Sequence, residues 1–565
     1  MSSLSRLASR IAEVFAQGGL GALIGKGYAR LQWRRVGVPL FQPEPAAEAA
    51  FVYGRWLQRH APRSGQLLAL AEDCGALPNR PKISLVAAVP DADGDAWRSI
   101  LDSLIAQAYP EWEFCVLAAA PESPGALRDV SEKDARVRPL AFPKSRSAVE
   151  AANAALKAAT GDFVGWIDPG DRLYPDALAH IARAISADPS ADLLYTDEDR
   201  IAPSGERVEP FFKPDWSPTL LDSLNYVGRF AVLRRRLAIA DGGFREGSDG
   251  SPEDDWLHRA SAQARRIAHI PRILYGKRLR PAPATPVTPK PSRDIRTDPV
   301  PRVSIIIPTC GDPRLLGPCL EGVERTPRSS EIEVILLDNG DGDLRSRLEH
   351  GLDKLRHEIV KDARAFNFSE FNNEGASRAS GELLLFLNDD TAPVNPEWLD
   401  ALRELAWRPE VGAVGAKLLY PDGTLQHAGM VLGVGGPVGH VFRGLPGDAP
   451  GHGGLAGVTR DVSAVTGACL MMRRELFREL GGWDPAFRLD FGDADLCLRA
   501  RARGYRVVWT PRAVLTHRES ATRGRVHSAE DSLKFFKRWG EAVRAGDPYY
   551  NPNLSRTMPG YGLDL

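Results

Sequence analysis

Short apolar runs alternate with amphipathic stretches along this chain, and the alternation occurs twice. Ile83-Ser84-Leu85-Val86 and Val303-Ser304-Ile305-Ile306 each begin a run of buried-strand length. Further on, runs ending at Leu117 and Leu337 each follow a glutamate, Glu113 and Glu333. In the second half the pattern predicts strands over Val303–Pro308, Glu333–Leu337 and Glu382–Leu387, joined by helices. Runs rich in Ile, Leu and Val belong to strands buried on both faces. The expectation is therefore an α/β fold, a largely parallel sheet covered by helices.

The two occurrences share a register. Ser304 lies 220 positions after Ser84, and the same offset relates Glu113 to Glu333, Asn153 to Asn373, Gly161 to Gly381 and Asp168 to Asn388. Farther along the offset is 240, relating Asp255 to Asp495, Arg259 to Arg499, Arg266 to Arg506 and Pro271 to Pro511. A repeat of this length reads as one domain used twice. About twenty extra residues enter the second copy, assigned to the glycine-rich stretch 433–457. The division is a mostly helical region 1–78, a first copy 79–280, a proline-rich linker 281–300, a second copy 301–524, and a C-terminal helix and tail 525–565.

Composition narrows the function classes. A net charge of −1 over 565 residues supplies no field for nucleic acid, and no recognised nucleic-acid module is present. Six cysteines lie scattered without a Cys-x-x-Cys pair, which fits a reducing cytoplasm and not a zinc or disulfide framework. No apolar run is long enough to span a bilayer, and the N-terminus lacks the pattern of a signal peptide. Residues 1–40 carry Arg6, Arg10, Lys26, Arg30, Arg34 and Arg35 against Glu13, with Leu4, Leu7, Ile11, Val14 and Phe15 at helical spacing. That stretch reads equally as a helix lying peripherally on a membrane and as one docked on its own protein.

Chemistry concentrates where strands of the second copy end. In open α/β sheets ligands bind outside the carboxyl ends of the strands. Those ends carry Thr309, then Asp338-Asn339-Gly340, then Asn388-Asp389-Asp390. Each acidic motif alone is also a turn or a helix cap. On successive strands of one sheet they form a pocket of oxygen ligands suited to Mg²⁺ or Mn²⁺ bridging a diphosphate. A second cluster runs Gly481-Gly482-Trp483-Asp484, then Asp493-Ala494-Asp495-Leu496-Cys497-Leu498-Arg499, with His517 farther on.

In this order, with Val303-Ser304-Ile305-Ile306-Ile307-Pro308-Thr309 before them and Gly467-Ala468-Cys469 between them, these motifs resemble family 2 glycosyltransferases of the GT-A fold. The similarity is greatest to tandem, rhamnosyltransferase-like enzymes of bacterial O-antigen and related surface polysaccharides. The resemblance implies two tandem GT-A domains in mixed, mostly parallel sheets. It implies that Thr309 and Asp338 hold the nucleobase and ribose with Asn373 nearby, and that Asn388 and Asp389 contact the nucleotide. It further implies Asp390 and His517 as ligands of Mn²⁺ or Mg²⁺, and Asp493 as the catalytic base of an inverting transfer. The donor would be a dTDP-, UDP- or GDP-linked sugar and the acceptor a glycan or lipid-linked glycan. Asn388 departs from the commoner aspartate, and Gly492 from the acidic or amide residue usual before the base.

The same offsets predict that the first copy lost this chemistry. Ala118 stands opposite Asp338, Gly170 opposite Asp390 and Lys277 opposite His517, while Glu253 keeps a carboxylate opposite Asp493. Alternatives are a bifunctional enzyme in which Asp168 or Asp171 replaces the missing ligand, and a non-catalytic assembly scaffold. A sugar-nucleotide pyrophosphorylase would need a basic, glycine-rich loop where Pro308-Thr309-Cys310-Gly311-Asp312 stands.

Overall fold

A computed structural model describes residues 46–564 apart from 89–93, 120–124, 143–146, 169, 247–250, 280–299, 328, 349–351, 353, 520–527 and 558–559. The basic stretch 1–40 lies outside the described residues, as does all of the proline-rich linker except residue 300. Helices Ala46–His60 and Ser64–Gly75 precede the first sheet.

The first copy forms strands β1 Ile83–Ala88, β2 Trp112–Ala119, β3 Val137–Phe142, β4 Phe163–Trp166, β5 Arg172–Leu173, β6 Leu193–Ile201, β7 Arg207–Phe211, β8 Ala231–Arg234 and β9 Ile267–Arg278. The second forms β10 Val303–Thr309, β11 Ile332–Asp338, β12 Arg356–Lys361, β13 Leu383–Leu387, β14 Thr391–Pro393, β15 Val411–Leu419, β16 Leu425–His427, β17 Met430–Leu432, β18 Val438–His440, β19 Arg460–Val462, β20 Cys469–Arg473 and β21 Arg506–His517. Strand order is β3-β2-β1-β4-β8-β6-β9-β5 in one sheet and β12-β11-β10-β13-β20-β15-β21-β14 in the other. Place by place these are the same order.

Both sheets are mixed. The run from β12 to β13 is parallel, β20 lies antiparallel between β13 and β15, and β14 pairs antiparallel with β21. Every residue of β10 is buried, as a strand covered on both faces requires. Its Ser304 hydroxyl donates to Glu333 at 2.5 Å and accepts from the Gly381 amide at 2.8 Å. Ser84 does the same with Glu113 and Gly161, at 2.6 and 2.8 Å. A side chain at either glycine would strike the main chain before β1 or β10, at 2.6 and 2.8 Å.

Pairing also locates the extra residues. Leu194 pairs with Val232 as Val414 pairs with Met471, so the offset is 220 at one strand (414 − 194) and 239 at the next (471 − 232). Nineteen extra residues therefore lie between β15 and β20, where β16 to β19 are built, which is wider than the stretch 433–457. The twentieth enters between Trp483 and Asp495. Each sheet has its own core on one face. A third core contains residues from the other faces of both sheets and from the tail, including Val86, Ile306, Leu432 and Tyr561. The copies also meet through polar contacts. Ser217 and Thr219 donate to Asp461 at 2.6 and 2.8 Å, and Asn551 of the tail donates to Asp197 at 2.9 Å.

Candidate active site

Strands β10, β11 and β13 are parallel neighbours, so their carboxyl ends fall on one edge. Thr309, at the end of β10, donates to Asp389 Oδ2 at 2.7 Å, tying one strand end to the turn after β13. Its own hydroxyl accepts from the Gly311 amide at 2.9 Å. Asp338, at the end of β11, is buried and accepts from Lys361 Nζ and from the Gly340 amide, both at 2.9 Å. Asn388 continues β13 through a hydrogen bond from its amide to the Ala468 carbonyl at 3.0 Å.

The antiparallel pair β14–β21 brings in a residue distant in sequence. Thr391 lies opposite His517, so the imidazole falls beside the preceding Asp390. His517 Nε2 is 3.1 Å from Asp390 Oδ1, and Nδ1 is 2.5 Å from Gln426 Oε1. Because the amide oxygen can only accept, it selects the tautomer protonated on Nδ1 and leaves the Nε2 lone pair facing Asp390. One carboxylate and one oriented imidazole suit a hard or borderline divalent cation. Among the described residues no three His, Cys, Asp or Glu side chains converge as a metal cage. An open pair is nevertheless what Mg²⁺ needs when substrate phosphates and water complete its shell.

Asp493 is half-buried at the start of the helix Gly492–Ala502, which follows Phe491 in the left-handed region at φ 63°. Its oxygens accept from the Gly467 amide at 2.9 Å and from the Ala494 amide at 2.8 Å. Burial raises the carboxyl's pKa above the usual aspartate value and outweighs those two amides, which lower it. Two carboxylates nearby have other roles. Asp495, fully buried, is held by Arg499 and Arg538, both at 2.7 Å, and by the Trp539 indole at 2.9 Å. Asp484 pairs with the same Arg538 at 2.7 Å.

Asn373 is expected near the nucleotide, and its side chain is held by main chain. Its amide donates to the Trp483 carbonyl at 2.8 Å and accepts from the Trp483 N–H at 2.9 Å. Asn153 makes the equivalent pair with Phe244 at 2.9 Å each way. Both side chains clamp a helix to the loop after a Gly-Gly turn through both polar ends.

Sequence reading missed Lys361, Gln426 and a group built by the extra residues. Arg443 donates to Tyr420 at 2.6 Å and to Glu519 at 2.7 Å, and Tyr420 donates to Glu519 at 2.7 Å. His427 and His440 face each other through Nδ1 at 3.0 Å. Burial lowers both, His440 to about 4 with Arg443 adding to the effect, so both are neutral at physiological pH. Gln426 and His427 had a signal in the Leu425-Gln426-His427 run. It fell outside the repeat and so had no counterpart to mark it.

In the first copy the pairing of Arg172 with Gly276 in β5–β9 matches that of Ala392 with Thr516, which sets Lys277 where His517 stands. Asp171 accepts from Tyr275 at 2.7 Å and from the Arg278 amide at 2.8 Å, and Asp168 is paired with Arg229. Ala118 pairs with Ala141 where the second sheet pairs Asp338 with Lys361.

Two mixed α/β sheets share one topology, and the second carries an acidic edge. The sequence model described as "Glycosyl transferase family 2" matches residues 95–240 and 304–481, and the chain belongs to that family. It is 38% identical over 563 residues to "O-antigen biosynthesis protein RfbC" of Myxococcus xanthus, covering 92% of this chain and 44% of that protein. It is 36% identical over 557 residues to "Uncharacterized protein y4gI" of Sinorhizobium fredii, covering 90% and 61%. A shorter match, 29% identical over 138 residues, relates it to "N-acetylglucosaminyl-diphospho-decaprenol L-rhamnosyltransferase" of Mycobacterium tuberculosis, covering 23% and 45%. The chain thus spans about half the length of these curated relatives. Among the described residues no helix is long and apolar enough to cross a membrane.

Proposed function

We propose that the second copy, residues 301–524, transfers a sugar from a nucleoside-diphosphate donor to a hydroxyl of a glycan acceptor, with inversion at the anomeric carbon. The observation that carries this reading is the meeting of Asp390 and His517 across β14 and β21, beside Asp389 and Thr309, with Asp493 on a separate helix. Thr309, Asp338, Asn388 and Asp389 form the nucleotide side of the site, with Lys361 holding the Asp338 carboxylate. Asp390 and His517 hold the divalent ion, and Gln426 keeps the imidazole lone pair on the ion's side. When bound, Mn²⁺ or Mg²⁺ supplies Lewis-acid neutralisation of the departing diphosphate.

Asp493 accepts the proton of the acceptor hydroxyl as that oxygen attacks the face opposite the nucleotide. Its raised pKa makes the carboxylate a stronger base than an exposed aspartate. The names of the relatives favour a lipid-linked glycan of a bacterial surface polysaccharide as acceptor. The donor is a dTDP-, UDP- or GDP-linked sugar. The first copy is not a second catalytic centre in this reading, because Asp168 and Asp171 are already engaged.

The deciding experiment is a thermal-unfolding series with UDP, dTDP and GDP, with and without Mn²⁺, on wild type and Asp390→Ala. Ligand that binds the folded state stabilises it by about 2.7 kcal/mol at a hundredfold excess over Kd. Stabilisation by one nucleotide that needs both metal and Asp390 supports the reading. Equal shifts in the variant, or none with any nucleotide, reject it.

A further inference from the structure

The first copy retains a cleft where the second has its site. A cavity of about 210 Å³ is lined by Trp166, Trp256, Asn225, Glu253, Asp254 and Lys277, among others. Its place follows from the repeat. Glu253 corresponds to Asp493, Lys277 to His517, and Trp166, at the end of β4, to Phe386 of β13.

The charges around this cavity are arranged for a neutral ligand. Buried Glu198 receives Lys277 Nζ at 2.7 Å and Lys213 Nζ at 2.9 Å, and Asp168 receives Arg229. Lysine amines thus take the place of the histidine ligand and are balanced within the protein. A divalent cation would meet carboxylates already held by ammonium and guanidinium groups, and a diphosphate would meet cations already paired. At the rim, Glu253 and Asp254 offer carboxylates, and Asn225 donates to Asp254 at 2.6 Å while accepting from the Gly228 amide at 3.0 Å. The walls are indole. Trp256 donates its N–H to the Ala238 carbonyl at 2.9 Å, and the Trp166 indole N–H is buried away from solvent. Carboxylate and amide acceptors beside indole faces, with little net charge, match a ring that has hydroxyls on its edge and C–H groups on its face. The volume, below the ~300–1,000 Å³ of sites for larger ligands, has room for about one such ring.

We propose that this cavity is a saccharide subsite that binds one neutral sugar residue of the acceptor glycan without metal or nucleotide. Glu253 accepts from sugar hydroxyls, and the Trp166 and Trp256 rings form the apolar walls. The adjoining strand also touches the second copy. Main-chain Phe212, next to Lys213, meets the His452 ring of the extra segment at 3.1 Å. A glycan held here is therefore held against the domain that would extend it. Binding is read without donor or metal, so this inference fails or stands separately from the transfer reaction.

The test is saturation-transfer NMR on the full chain with methyl glycosides of neutral hexoses and 6-deoxyhexoses, in the absence of nucleotide and metal. Wild type, Glu253→Gln, Trp166→Phe and Asp390→Ala are compared. The expected result is transfer from at least one glycoside that persists in Asp390→Ala and weakens about tenfold in Glu253→Gln, the loss of one charge-assisted hydrogen bond. Trp166→Phe narrows the aromatic wall, so it weakens binding while the far-UV spectrum stays unchanged. Transfer lost in Asp390→Ala and kept in both first-copy variants overturns the proposal. So does the absence of transfer from every glycoside, or binding at Glu253 that requires nucleotide and Mn²⁺.

Discussion

In both copies a serine on the central strand, a glutamate on its neighbour and the main chain ahead of a third strand form one hydrogen-bonded unit. Ser84, Glu113, Thr160 and Gly161 repeat as Ser304, Glu333, Ser380 and Gly381, with distances that agree within about 0.1 Å. Burial alone would raise these glutamates. The hydrogen bonds they receive hold both below the usual value, Glu113 at about 2. Asp255 with Arg259 and Asp495 with Arg499 likewise repeat, each arginine also capping a glycine carbonyl, Gly243 at 2.5 Å and Gly482 at 2.8 Å. Outside the segment added between β15 and β20, what differs lies at the strand ends. Asp338 with Lys361 becomes Ala118 with Ala141, Asp390 becomes Gly170, and His517 becomes Lys277. Groups that hold the sheet persist because losing either partner strands a buried polar atom. Groups that would meet a ligand carry no such penalty, and here their places are taken by Ala118, Gly170 and Lys277, the last paired with Glu198.

The largest test of that contrast exchanges the two carboxylates for amides. Asp493→Asn is expected to lower kcat by about 10²–10⁴, the range for a general base, while nucleotide binding persists. Glu253→Gln is expected to leave kcat in place and raise KM for the acceptor about tenfold. Equal losses of kcat in both variants would mean two working centres and end the asymmetry. A step smaller, His517→Lys copies the first site into the second. It should abolish the Mn²⁺-dependent part of nucleotide stabilisation, and Gln426→Leu should weaken Mn²⁺ binding by about 10–100-fold through the misoriented imidazole. Calorimetric titration with Mn²⁺ and nucleotide reads both, and unchanged affinity in either variant removes that residue from the site.

How much of this was legible beforehand follows the same division. The repeat was readable because strand signals and their glutamate, glycine and asparagine markers sit at fixed spacing, and that spacing is what the two sheets reproduce. The acidic strand ends were readable because a parallel sheet must deliver them to one edge. The pairing of Asp390 with His517 was available only through resemblance, since β14 and β21 face each other across 124 positions, Ala392 opposite Thr516, and periodicity does not reveal so distant a pairing. Gln426, Tyr420, Arg443 and Glu519 were not legible, because they act through contacts made by the extra segment. Asn373 is a separate case. It occurs in both copies, and that recurrence was itself the sign of a scaffold role.

Asn373 therefore supplies the next test. Asn373→Ala and Asn153→Ala each leave a buried N–H and C=O of the facing loop unpaired, and each should lower stability by about 1–3 kcal/mol in denaturant unfolding. Nucleotide KM should be unaffected by either change. A KM effect from Asn373→Ala with no loss of stability would restore it to the nucleotide side of the site and break its equivalence with Asn153.

The finest distinction is in pH dependence. Burial lifts the Asp493 carboxyl above its ordinary value, and the Gly467 and Ala494 amides offset only part of that effect. A base works when ionised, so activity is full above its pKa and falls as pH drops through it. The acid limb of kcat/KM should therefore begin at a higher pH than the ~3.9 of a free aspartate would give. Glu253→Gln should leave that limb where it is, because the group that titrates lies in the other copy. A limb that stays in the ordinary carboxylate range would mean that the Asp493 side chain is hydrated during turnover, and one that moves with Glu253→Gln would place the titrating base in the first copy.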